Sequence, residues 1–433
     1  MSRTWKLSRR RWLQSAAAVS VGLSQSSWLQ GVAHAANSDP LRKKAVIVLW
    51  LSGGPATIDM WDLKTGHANG GPYQPIKTNV AGLEISEHLP NLAKHGDELA
   101  IIRSMKTKEG DHGRATFLGV TGYTPVGALQ FPAVGALVAK ELGNPAADLP
   151  GYVSISSRRS LGGGFLGPRY SPLQVGGGRN RFGPGDGDAA ELKVPNLSRP
   201  TGLTDDAQRS RLELLTSLEE GFQPNAGGRV VETMRSATAQ ALSLMKPDAV
   251  KTFNLDEEDD KLRDAYGRSS FGQGCLLARR LIERGVPFAE VTLDGWDTHA
   301  GNFDRVKQLS GTLDTAFAAL LTDLKQRGLL DSTVVLCMGE FGRTPKINGT
   351  AGRDHWPHSW CSVLAGGGIR GGQIVGKTSD DGQEVTERPT SVPDLIATIC
   401  TAIGIDPRKQ NISNVARPIR IADPTAKLIA EIL

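Results

Sequence analysis

The chain is 433 residues long, with four cysteines and a formal net charge of +5. That surplus sits entirely in the first 35 residues, where Arg3, Lys6, Arg9, Arg10 and Arg11 meet no acid, so the rest of the chain is balanced. The basic character therefore belongs to a leader and gives no ground for nucleic-acid or membrane-surface binding.

The leader begins with Ser8-Arg9-Arg10-Arg11-Trp12-Leu13-Gln14, the twin-arginine export pattern, and ends in Ala33-His34-Ala35, a small-residue cleavage site. The stretch between, Ala16 to Leu29, is broken by serines and Gln25. It is too short and polar for the ~20 apolar residues of a membrane span, and no other segment is long enough. The expectation is a signal peptide over 1–35, a mature chain from Ala36, and a periplasmic or secreted location reached through the twin-arginine translocase. That route carries folded proteins, often with a metal or cofactor installed.

Along the mature chain, apolar β-branched runs alternate with helical periodicity. Strands are expected at Lys44 to Leu51, Leu99 to Arg103, Tyr152 to Ser156, Phe288 to Leu293, Thr333 to Met338 and Ser362 to Ala365. Helices are expected from about Gly113 to Val120, over Phe131 to Leu142 and Val306 to Gln326, and from Ser391 to Ile403. Residues 157–187, rich in Gly, Arg and Pro, read as a long irregular insertion. Residues 205–284 read as a helical insertion. The alternation at both ends favours one large α/β domain over 36–433 rather than two. Cys275, Cys337, Cys361 and Cys400 sit singly in apolar surroundings without CxxC spacing, as buried free thiols do.

Three clusters carry chemistry: Trp296-Asp297-Thr298-His299, Gly339-Glu340-Phe341-Gly342-Arg343 and Gly352-Arg353-Asp354-His355. In an open α/β sheet, ligands sit beyond the carboxyl ends of strands, and the first two clusters follow predicted strands. Asp, Glu and His are ligands that divalent ions prefer. Each residue also has a plainer reading: Asp59 or Asp62 as a helix cap, Glu340 as a partner of Arg343, His355 as a satisfied histidine beside Trp356. His67, His88 and His95 read as surface residues, and His358 as a spare ligand.

The order of these clusters resembles the alkaline phosphatase–sulfatase–phosphodiesterase superfamily, and the helix Val392 to Ile405 is similar to the one that closes sulfatase domains. More narrowly, Gly53-Gly54-Pro55…Asp59, Gly295-Trp296-Asp297-Thr298-His299 and Gly339-Glu340-Phe341-Gly342-Arg343-Thr344-Pro345 resemble domain-of-unknown-function family 1501. The resemblance covers nearly the whole mature chain. It implies a three-layer α/β/α sandwich with a mostly parallel central sheet, and a divalent metal (Zn, Mn, Ca or Fe). Asp297, His299 and His355 would hold one ion; Glu340 and Asp59 (or Asp62) would share a second. Phe341 stands where relatives carry a histidine.

Sulfatases need a C/S-x-P-S-R string after the second strand, for conversion to formylglycine. Here that place reads Gly110-Asp111-His112-Gly113-Arg114-Ala115, which excludes formylglycine chemistry. Phosphodiesterases of the superfamily use a threonine, and Thr107 is the matching nucleophile candidate, with an ordinary loop threonine as its plainer reading. Otherwise water attacks, with Asp111 or His112 as base. Arg114 and Arg343 are candidates for gripping an anionic group; Arg158, Arg159 and Arg169 read as grips from above or as a solvated face. Two classes follow: an exported hydrolase of sulfate or phosphate esters, acting on a small anionic or polysaccharide substrate, or a non-catalytic metal-stabilised structural or binding protein.

Overall fold

A computed structural model describes residues 44–157, 161–176, 202–226 and 228–433, together with Leu192, Val194 and Leu197. The proposed leader, its cleavage site, Arg158, Arg159 and most of the glycine-rich insertion lie outside the described residues. Lys44–Leu433 forms one compact unit.

Eight strands form the central sheet: β1 (Ala45–Ser52), β2 (Leu99–Met105), β3 (Tyr152–Ile155), β4 (Leu173–Val175), β5 (Phe288–Asp294), β6 (Thr333–Met338), β7 (Trp360–Ala365) and β8 (Gln373–Val375). Their spatial order is β8-β2-β7-β6-β1-β5-β3-β4. All are parallel except β7, which runs antiparallel to both β2 and β6. The expected neighbours 45–51 and 333–338 pair directly, with Trp50 opposite Met338. The inversion of β7 has a simple cause. Residues 339–359, which join it to β6, contain no helix to carry a parallel crossover, and an antiparallel return needs none.

β1 reads Ala-Val-Ile-Val-Leu-Trp-Leu-Ser, apolar at every position but the last, as a strand buried on both faces must be. Alternation sends Ala45, Ile47, Leu49 and Leu51 into one core and Val46, Val48 and Trp50 into the other. The first core is completed by Cys275, Leu276 and Leu281 of the helix at Ser270–Glu283 and by Leu313, Phe317 and Leu321 of the helix at Asn302–Gln326. The second is completed by the helices α1 (His112–Thr121), α2 (Val134–Leu142) and Val392–Ala402, the last closed by a Ser391/Asp394 capping box. This is the expected three-layer mixed α/β architecture. The 205–284 helical run is not one insertion, because Ser270–Glu283 belongs to the sheet-covering layer. The four cysteines are free and buried. No described helix is long and apolar enough to cross a membrane.

Candidate functional site

The carboxyl ends of β1, β2, β5 and β6, and the amino end of the inverted β7, share one sheet edge, and the three sequence clusters meet there. Gly53, just after β1, has φ +111°, and a Cβ on it would sit 2.5 Å from the Asp297 backbone nitrogen; one on Gly54 would sit 2.5 Å from the Phe341 ring. The glycine pair thus lets the loops carrying Asp297 and Phe341 close over the strand end. A two-residue antiparallel ladder then sets His355 opposite Arg343.

Three imidazoles face the half-exposed Asp297 carboxylate. His299 Nε2 lies 3.1 Å and His355 Nε2 3.5 Å from Asp297 Oδ1, while His112 Nε2 lies 3.5 Å from Oδ2. Each ring is held from behind at Nδ1: His112 by Glu340 Oε1 at 2.7 Å, His299 by Asp354 Oδ1 at 2.7 Å, and His355 by the Gly110 carbonyl at 2.8 Å. A carbonyl only accepts, so His355 Nδ1 carries a hydrogen and its neutral ring bears the lone pair on Nε2. The carboxylates impose the same tautomer on the other two rings. His299 Nε2 and His355 Nε2 are 3.1 Å apart. Two lone pairs at that distance repel unless a proton or a cation lies with them.

The electrostatics follow. The hydrogen bond to Glu340 raises the His112 pKa against the opposing effect of burial. Burial lowers that of His355. Burial alone would raise the Asp297 carboxyl, but the hydrogen bond and charge of Arg343, then His112 and His299, hold it below its ordinary value. Phe341 is buried against the cluster, its ring centroid 4.9 Å from that of His112 and 4.7 Å from that of His355. Phe341 gives the cluster an apolar wall on this side.

Several expected roles change. The Asp59 carboxylate is fully buried and taken up by Arg353 (2.7 and 2.8 Å) and Asn302 Nδ2 (2.8 Å), so it is a structural ion pair and not part of the cluster. Asp62 is likewise engaged, by Lys64 and Thr378. Glu340 stands behind His112 and also accepts the Gly53 N–H at 3.0 Å, which makes it an orienting group. Arg343 is fully buried and its fork is filled by the carbonyls of Gly53, Gly54 and Arg353 and by Asp297, leaving no donor pair for a substrate anion. Arg114 is exposed and paired in bidentate fashion with Glu109 at 2.6 and 2.8 Å. Asp111 caps α1 through the Arg114 N–H at 3.0 Å. Thr107 is buried and its hydroxyl makes no hydrogen bond; it does not line the cavity at the cluster. His358 is exposed, edge-on to Trp356.

Sequence reasoning misses Asp354 and the Gly110 carbonyl, whose work is done through contacts distant in sequence. It also misses Glu290. The signal there was legible: a lone acid inside the buried strand Phe-Ala-Glu-Val-Thr-Leu-Asp is out of place unless something needs it.

A family model described as "Protein of unknown function (DUF1501)" matches residues 43–433. The chain belongs to this family. No curated protein matches the sequence. Among solved structures, this chain is similar to Ps i-CgsB at 11% identity and TM-score 0.40, covering 84% of this chain and 72% of that one. A protein in the alkaline phosphatase superfamily from Vibrio parahaemolyticus aligns at 11% identity and TM-score 0.39, covering 84% and 67%. The C-terminal periplasmic domain of EcEptC from Escherichia coli, solved in complex with Zn, aligns at 10% identity and TM-score 0.37, covering 90% and 89%.

Proposed function

We propose that this DUF1501 chain is an exported, metal-dependent hydrolase of sulfate or phosphate esters that works without formylglycine. The observation that carries the metal reading is the convergence of three Nε2 atoms on Asp297, each ring being held at Nδ1 by an oxygen acceptor. Such backing of ligand histidines by carboxylates and carbonyls is how proteins fix metal-binding tautomers. His112, Asp297 and His355 offer donor atoms within 4.8 Å of one another, and His299 adjoins them. Three imidazoles and one carboxylate suit Zn, Mn or Fe better than Ca, which takes six or more oxygens.

A bound divalent ion would supply Lewis acidity toward a sulfuryl or phosphoryl oxygen. The chain's own residues do the rest. Arg343 pins Asp297, Glu340 pins His112, Asp354 pins His299, and Phe341 excludes water from one side. We take water as the attacking group, because Thr107, the nucleophile expected from the sequence, is buried and does not line the cavity at the cluster.

A second reading keeps the ion and drops the catalysis: a metal-stabilised binding protein. The filled Arg343 fork favours it. Purified protein exported in folded form separates the two. The hydrolase reading expects chelation to abolish release of sulfate or phosphate from aryl esters and zinc or manganese to restore it. Metal binding with no turnover on either ester class supports the second. Export itself is tested by Arg9→Lys with Arg10→Lys, which should hold the precursor in the cytoplasm, whereas wild-type material should start at Ala36 by mass spectrometry.

A further inference from the structure

Below the histidine cluster the sheet surface opens into a cavity of about 190 Å³, with room for on the order of six waters at ~30 Å³ each. One wall is a single face of β5. Glu290, Thr292 and Asp294 alternate onto it, so the cavity follows the strand inward for about 13 Å at ~3.3 Å per residue. Trp50 of β1, in register with Thr292, adds to the same sheet wall; Thr116 of α1 covers it, and Glu340 and Asp297 stand at the cluster end. Among the described lining residues there are four carboxylates and no lysine or arginine.

Three polar atoms at this cavity lack hydrogen-bond partners, His112 Nε2 among them. Glu340, only 3% exposed, has an unpaired Oε2, and the buried Thr292 Oγ1 makes no hydrogen bond. Glu290, only 6% exposed, is held by the hydroxyls of Ser154 at 3.2 Å and Tyr152 at 3.4 Å and by Ser157, and among the described residues by no cation. Burial pushes its carboxyl up to about 7 against the opposing hydrogen bonds. An indole beside carboxylates in a small pocket is the chemistry that recognises an ammonium group, through the ring quadrupole and charge-assisted hydrogen bonds.

We propose that this cavity receives a protonated amine on the alcohol half of the ester, seated between the Trp50 ring and the Glu290 carboxylate, and so selects amino-sugar or amino-alcohol esters. The link to an ester rests on the hydrolase reading above; binding of the amine itself does not.

The test is calorimetric titration of the whole mature protein with two probes, glucosamine and glucose, which differ only in the ammonium. Glucosamine is expected to bind roughly tenfold or more tighter, since a desolvated cation–π contact and an ion pair are each worth that factor. Glu290→Gln should erase the difference while leaving zinc content unchanged, and Thr292→Leu, which fills the cavity with methyl groups, should abolish binding of both sugars. Equal affinity for the two probes, a preference that survives Glu290→Gln, or binding that survives Thr292→Leu overturns the proposal. Protein that binds zinc but not glucosamine fails this inference alone. Protein that binds glucosamine but no metal keeps the pocket and loses the hydrolase reading.

Discussion

Asp59 and Asp297 each follow a central strand by a few residues and each meets a buried arginine, yet they do opposite things. The Asp59 side chain is completely buried, and both its oxygens are occupied by Arg353 and Asn302. Asp297 gives one oxygen to Arg343 but remains half exposed, with three imidazole nitrogens facing it. A carboxylate whose acceptors are filled from inside the protein holds loops together; one left open toward other donor atoms can take a ligand. Arg353 serves both regions, since its carbonyl accepts from Arg343 Nη1 at 3.2 Å.

The comparison breaks most visibly at Arg353. Arg353→Leu strands the Asp59 charge in the interior, and such an orphan costs about 3–5 kcal/mol. Urea unfolding should show that loss equally with and without a chelator. Glu290 is a buried carboxylate held by hydroxyls and, among the described residues, by no cation, and its sign is opposite to that of a paired acid. Unfolded, the carboxyl titrates near 4.5; folded, it is pushed up to about 7 by burial. Its contribution to stability is therefore full below pH 4.5, declines as pH rises toward 7, and is flat above. Glu290→Gln should accordingly gain up to about 3 kcal/mol over wild type between pH 4 and pH 8, read from melting curves across that range.

At the open carboxylate the effect depends on metal. Asp297→Asn keeps the hydrogen bond to Arg343 but removes the charge. It should cancel the roughly 2.7 kcal/mol of stabilisation that zinc at 100 times its dissociation constant confers on wild type, read against the variant's own metal-free melt, which falls because buried Arg343 loses its charged partner. His299→Ala should do the same, whereas exposed His67→Ala should keep the full zinc shift. Glu340→Gln weakens only the support of His112 and should lower metal affinity about 10- to 100-fold, seen in competition with a chromophoric chelator.

Fold and site were unequally legible in the sequence. Strands buried on both faces announce themselves, and the runs at 45–52, 288–294 and 333–338 match their expected spans closely. The inverted β7 was hidden because strand direction depends on what fills 339–359, not on the strand's own residues. That Asp297, His299 and His355 lie together was readable because each stands in a compact polar string. Asp59 was misplaced because its decisive partner, Arg353, lies 294 residues away. The Glu340 carboxylate on His112 Nδ1 was not legible, because nothing local to either residue shows that the two meet. Tautomers and filled acceptors are set by long-range contacts, and a sequence shows residue types without them.

We propose that Asp297 and the three histidines hold one divalent ion. X-ray absorption at the zinc edge, on mature protein loaded with one equivalent, tests it most directly. The account predicts a first shell of nitrogen and oxygen at about 2.0–2.2 Å with the outer-shell scattering of about three imidazoles, reduced in His112→Ala. Zinc that stays fully hydrated, or a spectrum without imidazole scattering, would contradict it.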